Sequence, residues 1–357
     1  MSGPLTGLRV LELEAIGPVP WAGMMLADMG ADVLRIDRPG AMELGRQREQ
    51  RLDITGRGKR VLTADLKADD GRLAVLREVD GADVLLEGLR PGVMERLGLG
   101  PGACLERNPR LVFARMTGWG QDGPLAQAVG HDINYIAVGG ALHAIGPANG
   151  PPAVPLNLVG DYGGGGMLLL VGVLSALVER AGSGRGQVVD AAMVDGTLTL
   201  LAPLLGRWQA GQWQDRREAN LLDGAAPFYG TYATADGQAV AVGAIEARFY
   251  AALLEGLGLD PATLPAQHDQ AAWPGLRQRF AAIFASQPRS HWEQVFHDTE
   301  ACVSPVLSLG ELGSHPHLRA RGSLVEVAGA LHPAPAPRFS RTPGAIHRSP
   351  DAPDKGR

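Results

Sequence analysis

Short apolar strands alternate with helical segments along the first part of the chain. Residues 8–13, Leu-Arg-Val-Leu-Glu-Leu, alternate apolar and polar positions, which predicts a strand. Residues 21–29 predict a helix that ends at Gly30, and residues 31–36 predict a second strand. A strand, a helix and a strand within about 30 residues indicate a parallel pair joined by a right-handed crossover.

The same alternation continues to about residue 190. Further strands are predicted at 60–63, 83–87 and 110–116, and further helices at 69–78 and 91–97. Strands and helices that alternate in this way predict an open, doubly wound α/β sheet.

The pattern changes after residue 190. Residues 191–213 predict helix, and residues 228–233 and 239–243 then predict a β-hairpin. Further helices are expected at 247–257, 274–286 and 291–296. This order of elements predicts a second, α+β domain, while the Pro-rich residues 332–337 are expected to be extended over the surface.

The composition adds a high glycine content to this pattern. The chain has 357 residues, of which 49 are Gly and 26 are Pro, and 45% of it is hydrophobic, so a large core can form between many turns. Its formal net charge of −5, without a long Lys/Arg block, gives no indication of nucleic-acid binding. Cys104 and Cys302 stand far apart, which argues against a disulfide framework or a zinc site and suits a reducing cytoplasm.

No segment of the sequence predicts export or a membrane span. The longest apolar run, at 167–178, is about half the length of a span. The first residues lack a signal-peptide pattern, and the last four, Asp-Lys-Gly-Arg, carry no peroxisomal or ER-retention signal. We therefore expect a cytoplasmic protein without a membrane partner.

Common cofactor signatures are absent from the sequence. It has no G-x-G-x-x-G after the first strand, no G-x-x-x-x-G-K-[ST], no H-E-x-x-H and no G-x-S-x-G. A doubly wound sheet without the glycine fingerprint argues against an ordinary NAD or FAD enzyme.

Basic residues stand near several predicted strand ends, where open α/β sheets bind their ligands. They are Arg38, Lys67, Arg90, Arg96 and Arg115. Several cations there would suit a polyphosphate without a P-loop, although a solvated charge explains Arg38 equally well. The denser basic cluster at 57–60 is expected to be a solvated loop.

His131 lies in the sequence Gly-His-Asp, at a predicted junction of loop and helix. Asp132 is expected to be the N-cap. His131 would then sit at the positive end of the helix dipole, which favours the neutral imidazole that a general base requires. A structural histidine is the alternative.

Two carboxylates also stand out. Asp161 lies between Gly160 and the run Gly163–Gly166, ahead of an apolar helix. The glycine N–H groups could approach a ligand closely and stabilise an oxyanion or a phosphate, whereas the alternative is that Asp161 caps the helix. Glu246 follows a predicted strand, as a catalytic group or as a neighbour of a helix cap.

These blocks resemble the family III CoA-transferases (CaiB/BaiF), and within them the racemase branch. The resemblance covers nearly the whole chain. Its longest blocks are ADVLRIDRP at 31–39, EGLRPGVMERLG at 87–98, ARMTGWGQ at 114–121, GHDINY at 130–135, NLVGD at 157–161, QVVDAAMVDG at 187–196 and VGAIE at 242–246.

The resemblance implies an α/β fold, with a Rossmann-like open sheet in a large domain and a smaller α+β domain. Two chains would form an interlocked homodimer, in which the large domain of one chain and the small domain of the other share an active site. The corresponding segments are a large CoA-binding domain at 1–190, a helical linker at 191–224, a small domain at 225–315 and a returning C-terminal segment at 316–357.

The resemblance also implies contacts with CoA, which would be part of the substrate, so that no separate cofactor or metal is needed. The implied contacts are Ile16, Arg38, Ala64, Lys67, Leu89, Arg90, Val93, Arg96, Asp132 and Tyr135.

In the racemase branch, His131 with Glu246 on one side and Asp161 on the other would be the acid–base groups. They would interconvert (2R)- and (2S)-2-methylacyl-CoA thioesters of branched-chain lipid metabolism through an enolate. In the transferase branch, the carboxylate that matches Asp161 instead attacks an acyl-CoA and forms an anhydride, so that CoA moves between acids. His131 in its setting favours the racemase, and the three candidate groups argue against a CoA-binding relative without activity.

Overall fold

The structure, a computed structural model, describes residues 2–40 and 49–349, which form two compact units. The first comprises the described residues of Met1–Ala141, Pro155–Ala202 and Pro316–Arg357, and the second comprises Leu142–Val154 and Pro203–His315. Residues 191–202, expected in a linker, thus belong to the first unit, and residues 142–154, expected in the large domain, belong to the second. The last eight residues of the expected C-terminal segment, 350–357, lie outside the described residues.

Six parallel strands form the main sheet of the first unit, in the order β3-β2-β1-β4-β5-β6. They are β1 (Arg9–Leu13), β2 (Asp32–Asp37), β3 (Lys59–Thr63), β4 (Val84–Glu87), β5 (Val112–Thr117) and β6 (Val188–Ala192). This confirms the predicted open α/β sheet. β6 was not predicted, because it runs directly into a helix and its short apolar pattern merges with the helical one.

Helices accompany these strands, with short 3₁₀ turns at Gln50–Leu52 and Ile54–Gly56. They are α1 (Pro18–Asp28), α2 (Asp69–Val79), α3 (Val93–Arg96), α4 (Pro101–Arg107), α5 (Asp132–Val138), a π-helix (Leu158–Met167), α7 (Leu168–Ser183) and α8 (Met193–Leu200). Two further helices, α6 (Ala141–Ala144) and α9 (Ala202–Gln209), begin at the last residue of a segment of the first unit and continue into the second. α1 begins three residues before its predicted start. Pro18 and Pro20 fit its first turn, because backbone N–H groups there have no acceptor within the helix and their absence costs no hydrogen bond.

Alternate side chains of the central strands enter two separate apolar layers. In β4, Val84 and Leu86 join one buried cluster while Leu85 joins the other. Because both faces are covered, these strands are nearly continuous apolar runs, as in other parallel sheets. The sheet is therefore a rigid platform whose carboxyl edge presents the connecting loops.

The second unit contains an antiparallel sheet of β7 (Tyr229–Ala233), β8 (Ala239–Gly243) and β9 (Val303–Pro305). It also contains a 3₁₀ turn (Pro261–Thr263), α10 (Ala247–Gly256), α11 (Trp273–Phe284) and α12 (Arg289–Val295). The predicted hairpin is confirmed. The core of this unit is aromatic, with Tyr232 stacked on Phe284 and Trp292 edge-on to the same ring, so the few aromatic residues of the chain are concentrated here.

The C-terminal part of the first unit contains α13 (Pro316–Arg321) and a hairpin of β10 (Leu324–Val327) and β11 (Ala330–Pro333). The Pro-rich segment, expected to lie extended on the surface, therefore begins inside a strand. His332 is fully buried, and the guanidinium of Arg57 donates to the carbonyl of Pro333 at 2.8 Å.

The basic cluster at 57–60 is not a solvated loop, which corrects the expectation from the sequence. The guanidinium of Arg57 pairs with Asp28 at 2.6 Å, and the ammonium of Lys59 pairs with Glu12 at 2.6 Å, all four side chains being almost fully buried. A buried charge requires a partner, and these partners are remote in sequence, so a local pattern could not reveal the burial.

One helical segment, Leu158–Ser183, is long and apolar enough by composition to cross a membrane. Within the first unit its residues Leu169, Leu170 and Val173 are buried in the core that lies against the sheet. Packing against a sheet explains the apolar character of this segment.

Candidate active site

The strand order of the first unit reverses between β1 and β4, which lie side by side. In open α/β sheets, ligands bind outside the carboxyl ends of the strands at such a point. The loops after these two strands are packed closely together: a Cβ added to Gly88 would lie 3.0 Å from Cγ2 of Val19 and 3.3 Å from Cβ of Ala15. The candidate residues that follow these strands therefore border the expected ligand crevice.

Asp161 reaches this crevice from the π-helix. Its carboxylate lies against the start of α1, where a Cβ at Gly17 would be 3.0 Å from Oδ2 of Asp161. Gly17 also has a φ of +68°, a conformation that favours glycine. Asp161 is the fourth residue of the π-helix rather than its cap, so the capping alternative for this carboxylate is wrong.

The glycines after Asp161 serve helix packing. A Cβ at Gly164 would lie 2.9 Å from the backbone N of Thr197 in α8, and one at Gly166 would lie 2.6 Å from the ring of Trp21 in α1. Their N–H groups are part of a π-helix, in which each N–H bonds to a carbonyl five residues earlier. The expectation that they approach a ligand is therefore corrected: they let three helices pack closely and so position Asp161.

His131 is the N-cap of α5, and Asp132, which was expected to be the cap, is the first residue of the helix. The backbone N–H of His131 donates to Oδ1 of Asn134 at 3.0 Å. The buried carboxylate of Asp132 accepts the backbone N–H of Asp161 at 2.7 Å. This bond joins the start of α5 to the π-helix, and it brings His131 and Asp161 to the same part of the first unit.

Burial raises the pKa of Asp161 above the ordinary aspartate value. Nδ2 of Asn157 donates to Oδ2 of Asp161 at 3.0 Å and opposes this shift, the charge of Asp132 adds to it, and the charge of His131 opposes it. A carboxyl group with a raised pKa is more readily protonated and can act as either acid or base.

The residues that resemblance assigned to CoA lie along the carboxyl edge of the sheet, following several strands. Arg38, directly after β2, has a side chain that is 61% exposed, with its Nε 3.2 Å from Oε2 of Glu14. The side chains of Lys67, Arg90 and Arg96 are also exposed. The less polar candidates are Ile16, which is exposed, Ala64, which is buried, and Leu89 and Val93, which are partly buried. Asp132 and Tyr135 are buried.

Arg115 is not available to a phosphate, which corrects another expectation. It is almost fully buried in β5, where its Nε donates to Oε1 of Glu87 at 2.8 Å and its Nη1 donates to Oε1 of Glu95 at 2.7 Å. The other oxygen of Glu87 accepts the backbone N–H of Leu89 at 2.7 Å. This network fixes the loop that carries Leu89 and Arg90. The sequence signal for it is weak, because Glu87, at the end of β4, and Arg115, inside β5, become neighbours only through the strand register.

Glu246 lies in the second unit, three residues after β8 ends at Gly243. It is the N-cap of α10 but makes no capping bond with its side chain, which is exposed. The backbone before it is held by Gln267, whose Nε2 donates to the carbonyl of Ile245 at 2.8 Å, a contact that the sequence did not suggest. Glu246 is thus presented at a fixed point with its carboxylate available.

Among residues 2–40 and 49–349, no group of three or more His, Cys, Asp or Glu side chains could hold a metal ion.

Comparison with known proteins identifies the family. The model of CoA-transferase family III matches residues 5–357, and the chain belongs to this family. It is 48% identical over 340 residues to alpha-methylacyl-CoA racemase of Mus musculus, covering 95% of this chain and 87% of that protein. It is 44% identical over 342 residues to the Homo sapiens protein of the same name, with the same two coverages. A crystal structure of a CaiB/BaiF family protein from Brucella suis superposes with a TM-score of 0.85 at 25% identity, covering 98% of this chain and 96% of that chain.

Proposed function

We propose that this protein is an isomerase, an alpha-methylacyl-CoA racemase that interconverts (2R)- and (2S)-2-methylacyl-CoA thioesters. The observation that carries the proposal is Asp161, a half-buried carboxyl group with a raised pKa at the carboxyl edge of the sheet, whose backbone N–H is bonded to the residue that follows His131. The two mammalian relatives that are named as racemases support the choice of reaction.

The reaction needs one group to remove the α-proton and another to return a proton to the opposite face of the carbon. In one direction Asp161 takes the α-proton, the C–H electron pair passes into an enolate, and protonated His131 delivers a proton; the reverse direction exchanges these roles. The raised pKa of Asp161 suits both roles, because it reduces the difference in pKa between the carboxyl group and the weakly acidic α-carbon.

CoA would lie along the carboxyl edge of the sheet. The exposed side chains of Arg38, Lys67, Arg90 and Arg96 would bind its phosphates. Ile16, Ala64, Leu89 and Val93 would contact its less polar parts, and the segment that includes Asp132 and Tyr135 would approach the thioester end. The ion pairs of Arg115 support this surface from within.

Glu246 would orient His131 and stabilise its imidazolium form. Following the resemblance, we assign it to the site of the partner chain in an interlocked homodimer. Large apolar side chains on the surface of the single chain support an extensive contact with another copy; they include Val138, Leu156, Val171 and Val178. We place the protein in the cytoplasm, which suits the two free thiols of Cys104 and Cys302.

The second candidate is a CoA-transferase, in which Asp161 would act as nucleophile. The family contains both reactions, and the partial exposure of the Asp161 carboxylate would permit attack on a thioester. A carboxylate that acts as a nucleophile needs neither a raised pKa nor a second proton carrier, whereas a carboxyl group that acts as acid and base uses both. This contrast favours the racemase.

Incubation of a (2R)-2-methylacyl-CoA with the protein in deuterated water separates the two reactions. The racemase predicts a mixture of epimers with deuterium on the α-carbon in the absence of an acceptor acid. His131→Ala and Asp161→Ala should each lower racemisation by orders of magnitude while CoA still binds. Exchange of CoA with an added acid, without deuterium on the α-carbon, would refute the racemase and support the transferase.

A further inference from the structure

A buried tyrosine holds the peptide unit that precedes His131. The hydroxyl of Tyr135 donates a hydrogen bond to the carbonyl of Gly130. Tyr135 is 8% exposed, and its ring meets Trp119 edge-on with the ring centres 4.8 Å apart. Because Tyr135 lies one turn into α5, this bond ties the loop before His131 to the body of its own helix.

Two glycines leave the space that the ring of Tyr135 occupies. A Cβ at Gly118 would lie 2.0 Å from Cε1 and from Cζ of the ring, and one at Gly130 would lie 2.8 Å from Cε1. Gly118 directly follows β5, so the ring is wedged between the end of a central strand and the loop that leads to His131. A side chain at Gly118 could be accommodated only if the ring moved.

We propose that Tyr135 is a positioning residue that sets the place of the His131 imidazole. The hydroxyl of Tyr135 binds the carbonyl of Gly130 and the side chain of Asn134 binds the N–H of His131, so both polar groups of the peptide unit that precedes His131 are held. The proposal rests on the racemase function, in which His131 transfers a proton on one face of the α-carbon. It gives Tyr135 a role other than direct contact with CoA.

This role has a consequence that a general loss of stability would not have. If the imidazole is displaced, proton transfer on its own face slows, while Asp161 still removes and returns the proton on the other face. The epimer that Asp161 deprotonates should then exchange its α-hydrogen with solvent and keep its configuration. The ratio of exchange with retention to inversion therefore reports the placement of His131 separately from the amount of active protein.

The test is Tyr135→Phe, which removes the hydroxyl and keeps the ring. The variant is incubated with each epimer of 2-methylacyl-CoA in deuterated water, and deuterium uptake and inversion are measured separately. We expect inversion to fall roughly 10- to 100-fold, since a displacement of about 1 Å can cost about 100-fold. We expect one epimer to retain most of its exchange, and it should be the epimer that still exchanges in His131→Ala.

Tyr232→Phe is the matched control. Its hydroxyl also donates to a carbonyl five residues earlier, that of Pro227, and it is also buried, but it lies in the core of the second unit. This variant loses the same kind of bond and should show the wild-type ratio of exchange to inversion. Gly118→Ala, which pushes on the ring from the other side, should raise the ratio as Tyr135→Phe does.

An unchanged ratio in Tyr135→Phe, with inversion normal or lowered in proportion to exchange, would overturn the positioning role. The same holds if Tyr232→Phe raises the ratio equally. If Tyr135→Phe fails to fold, the ratio in Gly118→Ala decides the question. Failure of the wild-type protein to exchange the α-hydrogen would instead refute the racemase function, and the positioning role with it.

Discussion

At the scale of single residues, Asp161 has a protonation equilibrium that links catalysis to stability. Burial raises its pKa in the folded protein, whereas in the unfolded chain it has the ordinary aspartate value. The folded state therefore holds the proton more tightly, and stability falls as the pH rises through the interval between the two values. Above that interval, the buried ionised carboxylate lowers the free energy of unfolding by a constant amount.

Asp161→Asn should remove this cost. We expect the variant to melt at a higher temperature than the wild type at pH 7, and the difference should vanish below the unfolded-state pKa, near pH 4. Racemisation should fall by orders of magnitude. Thermal melting curves of both proteins between pH 4 and pH 8 measure the difference.

Asp80→Asn is a control of opposite sign, because the bond to Arg107 lowers the pKa of the exposed Asp80 carboxyl group. It should bring no gain in melting temperature at pH 7. A stabilisation by Asp161→Asn that grows as the pH falls would contradict the assignment of a raised pKa to Asp161.

The residues alone predicted less of the candidate site than the residues together with the family resemblance did. His131, Asp161 and Glu246 could each be singled out as polar groups near glycines or strand ends, but each had an equally simple structural explanation. The contact between Asp132 and the N–H of Asp161 brings His131 and Asp161 to the same part of the first unit, and it joins segments 29 residues apart. A contact of this kind depends on how helices pack and leaves no local pattern.

At the scale of elements, the alternation of strands and helices predicted the open sheet. Each strand could be recognised from its pattern of apolar and polar residues and from the turn that ends it. The glycine run was interpreted wrongly, because a glycine that accepts a ligand and one that accepts a neighbouring helix look alike in sequence. Gly164 and Gly196 show the second case: a Cβ at Gly196 would lie 1.8 Å from the carbonyl oxygen of Gly164. The π-helix and α8 approach each other through their backbones at this point.

Gly196→Ala should therefore destabilise the protein. Backbone atoms cannot rotate away as a side chain can, so the helices would have to separate, at a cost of about 1–3 kcal/mol or more in the free energy of unfolding. Denaturant unfolding of wild type and variant measures this cost.

Gly102→Ala is the matched control, because Gly102 lies in α4 with no atom within 4 Å of an added Cβ. There alanine should be neutral or stabilise the protein, by up to about 1 kcal/mol. Equal effects of the two substitutions would contradict the packing role of Gly196.

At the scale of the whole molecule, the single chain exposes several large apolar side chains. Val138 is 62% exposed, Leu156 is 70% exposed and Val178 is 76% exposed. Exposed apolar side chains are candidates for surfaces that an assembly covers. The proposed interlocked homodimer would cover them, and it would also supply Glu246 of one chain to His131 of the other.

A complementation experiment tests this arrangement of the proposed active site. His131→Ala and Glu246→Ala chains are co-expressed with different affinity tags, and the mixed dimer is isolated with both tags in succession. If each site takes His131 from one chain and Glu246 from the other, one of the two sites in the mixed dimer combines both substitutions and the other is intact.

We then expect about half of the wild-type racemisation rate, although each variant alone is severely impaired. If both residues of a site come from the same chain, each site of the mixed dimer contains one substitution, and the rate should stay at the average of the two variants. Isolation of a monomer alone would refute the dimer itself, since no protein would carry both tags.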